Sequence, residues 1–272
     1  MIRFNNVSHH FGCTNKPALK NISLTIDEGE FVFITGHSGC GKTTLLRLLL
    51  RELLPTVGTV EFLGDNLSLL SPRKVAKHRQ KVGVVFQDYQ LLDDLTVWEN
   101  IALPMQIAKL PKSEISKRIN ELVKLLKLEN LENKFPAQLS GGEAQRVGLS
   151  RALAIAPKVI FADEPTGNLD AENSQTIISL LGNINHYGTT VIVATHNLEI
   201  IPLVANARHL VLEQGELIAD QAPSKKTPPK NKNIKSESDT ENKKTAANSK
   251  VVDNKKKSIP KSARDNQESH HE

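Results

Sequence analysis

The sequence predicts an α/β protein with a mostly parallel core sheet, an antiparallel β subdomain, a helical insertion and a disordered C-terminal tail. Short apolar runs recur at 31 to 35 (FVFIT), 82 to 86 (VGVVF), 159 to 162 (VIFA), 190 to 195 (TVIVAT) and 209 to 213 (HLVLE). Helical patterns lie between several of them, as buried parallel strands require. A Gly-rich turn joins the first run to a Leu-rich stretch, the strand, loop and helix order of a phosphate-binding loop. From Ala222 onward there is no Leu, Phe, Tyr or Trp, so that segment cannot bury enough apolar surface to offset its ordering entropy.

Taken in order, residues 2 to 7 (IRFNNV) and 19 to 26 (LKNISLTI) mix β-branched and polar residues in partial alternation, which predicts a small antiparallel β layer. FVFIT predicts a buried strand, and Lys42 to Leu54 a helix that Pro55 stops. The region from about 88 to 156 has no strong strand signal. Within Ser113 to Lys127, Ile115, Ile119, Leu122, Val123 and Leu126 fall on one apolar helical face, so this region reads as a helical insertion. The expected organisation is a folded domain over 1 to 221, with its helical part at about 88 to 156, and a tail over 222 to 272.

The chain of 272 residues carries 35 Lys+Arg against 30 Asp+Glu. Residues 222 to 272 hold 13 against 7, leaving 22 against 23 for residues 1 to 221. The basic balance belongs to the tail, so bulk charge lends the folded part no nucleic-acid-binding character. Two cysteines, Cys13 and Cys40, make no disulfide framework, and no apolar leader opens the chain; a reducing cytoplasm is the expected setting. No apolar run approaches the roughly 18 residues of a membrane span, so membrane attachment is expected only through a partner.

Gly36-His37-Ser38-Gly39-Cys40-Gly41-Lys42-Thr43 fits G-x-x-x-x-G-K-[ST]. The glycines let backbone N–H groups turn toward phosphate oxygens, and the helix start adds positive potential. A chain of this length matches the pattern by chance on the order of once in a hundred. Val159 to Glu164 is an apolar strand ending in two carboxylates, and such strand ends open on the ligand crevice. Alone, the pair reads as a solvated strand end. Beside a phosphate loop, Asp163 can hold Mg2+ with Thr43, and Glu164 can take a proton from a water at the terminal phosphate. At Leu139 to Glu143 (LSGGE), Ser140 and two glycines open the helical pattern of 144 to 156, a second helix start suited to an anion. A capping box accounts for Ser140 and Glu143. It leaves Gly141 and Gly142 unexplained, each costing about 1 kcal/mol against Ala in a helix.

The phosphate loop, LSGGE, ADEPTGNLD from Ala162 to Asp170, Gln87 after one strand and His196 after another resemble the nucleotide-binding subunits of ABC transporters over residues 1 to about 221. Within that superfamily MIRFNNVS, GEFVFITG, Arg51-Glu52 before Pro55, VFQDYQLL and TVWENIALP resemble the FtsE branch of cell-division ATPases. Branches that extract lipoproteins or export macrolides share ADEPTGNLD but usually carry a Gly-Leu-Asp-like turn at Arg51-Glu52. The resemblance implies a P-loop NTPase of the ABC ATPase type that binds ATP and Mg2+ and hydrolyses ATP to ADP and phosphate. It implies ATP binding by Gly36, His37, Ser38, Gly39, Cys40, Gly41, Lys42, Thr43 and Thr44, with Lys42 on the β- and γ-phosphates. Thr43, Gln87 and Asp163 would attend Mg2+, Glu164 the attacking water and His196 the γ-phosphate. Gln87 would link the γ-phosphate to the helical insertion, and Phe11, otherwise β-layer core, would stack on adenine. In such proteins Ser140, Gly141, Gly142 and Glu143 of one subunit close over ATP held by the other, with Asp170 at the seam, which implies a homodimer with two shared sites.

The resemblance further implies a peripheral position on the cytoplasmic face of the membrane, beneath an FtsX-like integral membrane subunit. A short helix of that subunit would dock near Gln87, where Tyr89, Leu91, Leu92 and Trp98 offer apolar anchors; the same residues can instead close the insertion onto the core. The ATPase cycle would then move the partner and switch cell-wall hydrolases. The runner-up is the ATPase of a lipoprotein-releasing or macrolide-type exporter. Two other classes are a soluble ABC protein acting on nucleic acid, opposed by the lack of a second cassette, and an ATP-trapping regulator, opposed by intact Glu164 and His196. Ala144, Asn197 and Cys40 depart from the usual pattern without removing a catalytic group. Cys40 is expected to be a reactive thiol that ATP protects. The tail is expected to be a solubilising extension, with contact to anionic lipid as its functional alternative; nucleic acid is not expected, since no aromatic is there to stack a base.

Overall fold

The computed structural model describes residues 1 to 12 and 16 to 222, so the expectations for Cys13 and for the tail from 223 onward lie outside the described residues. β1 (Ile2–His9) and β2 (Leu19–Ile26) pair antiparallel. β3 (Phe31–Thr35) is buried throughout and leads through the glycine loop into α1 (Lys42–Leu49). The helix stops at Leu49, short of the predicted Leu54, because Arg51 takes left-handed backbone at φ 57. That turn lets the Arg51 N–H reach Leu48 O at 3.0 Å and the Glu52 N–H reach Arg47 O at 2.9 Å, a paired closure of the last helical carbonyls that usually employs glycine. Arg51 Nε donates to Leu67 O at 3.0 Å, holding the side chain across the turn.

β4 (Val57–Phe62) and β5 (Asp65–Asn66), which the sequence pattern did not predict, complete a four-stranded antiparallel sheet of order β2-β1-β4-β5. Then come α2 (Pro72–Arg79), β6 (Val82–Val85), α3 (Val97–Ile107), α4 (Lys112–Leu125) and α5 (Gly141–Leu153). α4 buries Ile115, Ile119, Leu122 and Val123, and Leu126 at its C-cap is buried too, the face that the spacing predicts. β7 (Val159–Asp163), α6 (Ala171–His186), β8 (Thr190–Thr195), β9 (Arg208–Glu213) and β10 (Glu216–Gln221) finish the fold. Among the described residues no helix is long and apolar enough to cross a membrane.

The second sheet has the order β10-β9-β3-β8-β7-β6, parallel except for β10. Alternate residues of its central strands enter two different cores. Phe31 and Phe33 of β3, Ile160 and Ala162 of β7, and Val191 and Val193 of β8 pack with the helices α3 to α6. Val32, Ile34, Val159, Phe161, Ile192 and Ala194 pack with α1 and the antiparallel sheet. Both faces are covered, which is why these strands read as unbroken apolar runs. The parallel pairing sets Thr35 beside Thr195, Ala194 beside Asp163 and Ala162 beside Val85. The segments that follow β3, β8, β7 and β6 therefore emerge along one edge, although they are far apart in sequence.

Candidate active site

The glycine loop is wedged between neighbours. A Cβ on Gly36 would fall 2.1 Å from Leu212 O, and one on Gly41, whose φ is 113, would fall 2.7 Å from Ala18 O, so only glycine fits either place. Gly41 caps α1 without a side-chain hydrogen bond, and no acidic residue stands in the first turn. Among the described residues no side chain caps the first N–H groups of the helix, which have no intrahelical acceptors and so suit an anion. Lys42 is 6% exposed; its Nζ donates to Gly36 O at 2.7 Å and His37 O at 3.3 Å and stands 3.4 Å from Glu164 Oε1. His37, Ser38 and Gly39 are exposed, and Thr44 is buried. The expectation of a reactive thiol at Cys40 is corrected: the side chain is buried in the core shared with α1, behaving as a small hydrophobe.

Thr43 Oγ1 donates to Asp163 Oδ2 at 2.8 Å. Burial pushes the Asp163 carboxyl above its ordinary range, with the Thr43 hydrogen bond opposing. Glu164 adopts left-handed backbone, φ 49, a conformation costing roughly 1–2 kcal/mol for a non-glycine residue. Its N–H donates to Ala194 O at 2.8 Å, and the Gly167 N–H closes the turn on Glu164 O at 3.1 Å. Glu164 Oε2 accepts from the His196 backbone N–H at 3.2 Å and lies 3.0 Å from His196 Nδ1. Lys42, Thr43, Asp163, Glu164 and His196 thus form one constellation. A hydroxyl and a desolvated carboxylate are the hard oxygen donors that Mg2+ takes, the rest of its shell coming from phosphate and water. Among the described residues no group of three or more His, Cys, Asp and Glu could hold a metal by itself.

Gln87 faces elsewhere. Its Nε2 donates to Asn168 Oδ1 at 3.3 Å, while Asn168 Nδ2 donates to Gln87 O at 3.1 Å. This amide pair turns the Gln87 side chain along Gly167, so the structure does not bring it to Thr43 or Asp163 as a metal ligand. Phe11 is 40% exposed and stands edge-on to His9, ring centroids 4.7 Å apart, outside the β-layer core. The four apolar anchors differ in exposure: Leu91 and Trp98 are partly buried against the core, Tyr89 is half-buried, and Leu92 is exposed.

Ser140 caps α5 in a capping box, its Oγ accepting from the Glu143 N–H at 3.3 Å and its N–H donating to Glu143 Oε2 at 2.7 Å. The Ser140 N–H and hydroxyl hold the Glu143 carboxyl below its usual range. Other side chains crowd both glycines. A Cβ on Gly142 would fall 2.4 Å from Asn173 Oδ1, and one on Gly141 would fall 2.9 Å from the Tyr89 hydroxyl. Asn173 is held by Asp170, whose two carboxylate oxygens accept from the Asn173 N–H at 2.7 Å and Nδ2 at 2.8 Å. Among the described residues Ser140 to Glu143 share no hydrogen bond or ion pair with the Lys42 constellation. Sequence reasoning missed Asn168, Asn173 and Gln145. Only Gln145 carried a signal, as an amide on the α5 stripe otherwise made of Gly148, Leu149 and Ala152.

Residues 19 to 167 match the family model described as ABC transporter. The chain is 42% identical over 205 residues to the cell division ATP-binding protein FtsE of Bacillus subtilis, covering 75% of this chain and 90% of that protein. It is 40% identical over 223 residues to the methionine import ATP-binding protein MetN 1 of Bacillus thuringiensis subsp. konkukian, covering 81% of this chain but 66% of the relative's length. Among solved structures it is similar to the ATP-binding cassette MJ0796, dimeric in a post-hydrolysis state with ADP and Pi, at 37% identity and a TM-score of 0.74, covering 82% of this chain and 98% of that one. It is also similar to cbiO1 from Clostridium perfringens, part of the ABC transporter complex cbiONQ, at 32% identity and a TM-score of 0.75, covering 82% of this chain and 88% of that one.

Proposed function

The chain belongs to the ABC transporter ATP-binding family and is an ATP-hydrolysing enzyme with the fold of an ABC cassette, and from that premise we propose that it is the ATPase of a bacterial cell-division complex. In this reading it works from the cytoplasmic face beneath an FtsX-like membrane subunit, and its ATP cycle moves that subunit to control cell-wall hydrolysis. The observation that carries the reading is the share of length matched: 90% of the cell-division relative against 66% of the methionine-import relative. The 40% identity to the latter favours a second reading, the ATPase of an importer.

The proposed chemistry is in-line attack of water on the γ-phosphate. The loop amides and Lys42 cradle the phosphates, and Lys42 Nζ, now on Gly36 O and Glu164, turns to the γ-phosphate oxygens. Thr43 and Asp163 would hold Mg2+, which supplies charge neutralisation across the β- and γ-phosphates. Glu164 takes the proton of the attacking water, steadied by His196 at 3.0 Å. Phe11, 40% exposed and edge-on to His9, would stack on adenine. Ser140 to Gly142 complete the second site of a homodimer, with Asp170 at the seam; the dimer of the similar cassette supports this.

Partner choice is testable in the source cell. Depletion should block division, and the protein should co-purify with a membrane subunit through Leu92, the exposed apolar residue near Gln87; Leu92→Asp should lose that partner without losing thermal stability. Normal division with failed methionine uptake would establish the importer reading instead.

A further inference from the structure

Gln145 is fully buried on α5. Its Nε2 donates to Pro165 O at 2.8 Å and, at the longer distance of 3.4 Å, to Phe86 O, while among the described residues Oε1 has no partner. Pro165 follows Glu164, and Phe86 precedes Gln87. Six residues on, Arg151 donates to Tyr89 O at 2.9 Å and Gln90 O at 2.6 Å, residues with φ of 59 and 47. α5 lies so close to β6 that a Cβ on Gly83 would fall 2.6 Å from Ala152 O. The helix that begins with LSGGE therefore grips the Gln87 segment on both sides, and through Gln145 it also grips the turn that carries Glu164.

A side chain with one unpaired buried oxygen is a poor space-filler, since an apolar residue of the same size would avoid that desolvation cost. The left-handed Glu164 is pinned on one side by its own N–H on Ala194 O, and on the other by Gln145 on the next carbonyl. We infer that Gln145 is a positioning residue for ATP hydrolysis: it couples the placement of the LSGGE helix to the backbone of the Glu164 turn, and so sets where the carboxylate stands relative to the attacking water. This rests on the proposed role of Glu164 as the base.

The test is steady-state MgATP hydrolysis by the full-length protein from pH 5.5 to 8.5, with Gln145→Leu, Gln145→Glu and, as a control, Glu164→Gln. Gln145→Leu removes the donor, and kcat should fall about tenfold or more through misplacement of the base. KM for ATP should stay within about twofold, because Lys42 and its loop are untouched. Gln145→Glu keeps the shape but sets a carboxylate against Pro165 O. Protonated, that carboxyl donates to Pro165 O, so the ratio of its kcat to that of the wild type should rise as pH falls, whereas the Gln145→Leu ratio should stay flat. A purely structural role gives no such recovery within one folded protein. If Gln145→Leu does not fold, the pH ratio of Gln145→Glu decides alone. A Gln145→Leu kcat within about twofold of wild type, a KM that rises in step with the loss of kcat, or a pH-independent Gln145→Glu ratio overturns the inference. Wild-type hydrolysis by Glu164→Gln would remove the base reading itself, which is a separate result from active Gln145 variants beside an inactive Glu164→Gln.

Discussion

Lys42 Nζ stands 3.4 Å from Glu164 Oε1, with the two side chains 6% and 15% exposed. The cation that would bind the γ-phosphate and the carboxylate that would activate water therefore neutralise each other between the start of α1 and the end of β7. In the proposed reaction an arriving phosphate would compete for Lys42 and release Oε1, linking ATP binding to activation of the base.

Glu164→Gln keeps the size and one acceptor oxygen but removes the base, so hydrolysis should fall by roughly 10² or more. ATP affinity should be retained, since Lys42 and the loop backbone remain. Rate measurements beside nucleotide titration check both. Size exclusion with MgATP should show the variant as a dimer held by its unhydrolysed ligand, and Ser140→Arg should abolish that shift.

Cys40 should react slowly with maleimide in a Cys13→Ser background, at a rate set by opening of the fold and not by access to the loop. MgATP should slow labelling only as far as it stabilises the protein. Fast labelling that ATP blocks at temperatures far below the melting midpoint would return the thiol to the phosphate side. Cys40→Ser, which buries a hydroxyl, should cost about 1–3 kcal/mol.

His78 is 5% exposed, its Nε2 donating to Leu49 O at 2.6 Å and its ring edge-on to Phe62. Burial lowers its pKa, with the Leu49 hydrogen bond opposing. The unfolded chain therefore takes up a proton more readily than the folded one, beginning near the ordinary histidine pKa of about 6.5. The stability that His78 contributes is present above that pH and is lost as pH falls through the lower folded value. In His78→Gln the drop in melting midpoint between neutral and mildly acidic buffer should be smaller than in the wild type; an equal drop would clear His78 of the effect.

Arg208 binds Asp220 bidentately, Nε to Oδ1 at 2.7 Å and Nη2 to Oδ2 at 2.6 Å, and its Nη1 donates to Thr25 O at 2.7 Å. These bonds fasten β10 and β9 to β2, and they hold the Asp220 carboxyl below its usual range. Asp220 is 39% exposed, so solvent screening limits the pair, and Asp220→Asn should cost only about 0.5–1 kcal/mol at neutral pH. With the folded pKa depressed, that contribution is present above the unfolded value of about 3.9 and is lost as pH falls through the folded one. Urea midpoints of wild type and variant should converge in strong acid; a deficit that persists there would assign the loss to packing.

Chemistry and fold class were legible from the sequence because both rest on local pattern. The runs of β3, β7 and β8 are unbroken because both of their faces are covered, and the glycine loop, LSGGE and the paired carboxylates announce their chemistry by spacing alone. β4 escaped notice because β1 comes so near that position 58 must be glycine, at φ 84, which breaks the alternation of a strand. β10 escaped because an edge strand buries little. The inward turn of Cys40, the Gln87–Asn168 pair, the Asn173 amide over Gly142 and the grip of Gln145 on Pro165 O were decided only by tertiary structure. Each joins segments remote in the chain, or sets a side chain by what packs around it, and neither leaves a period in the sequence: strand order, β3-β8-β7-β6, is what makes neighbours of residues that the chain keeps apart.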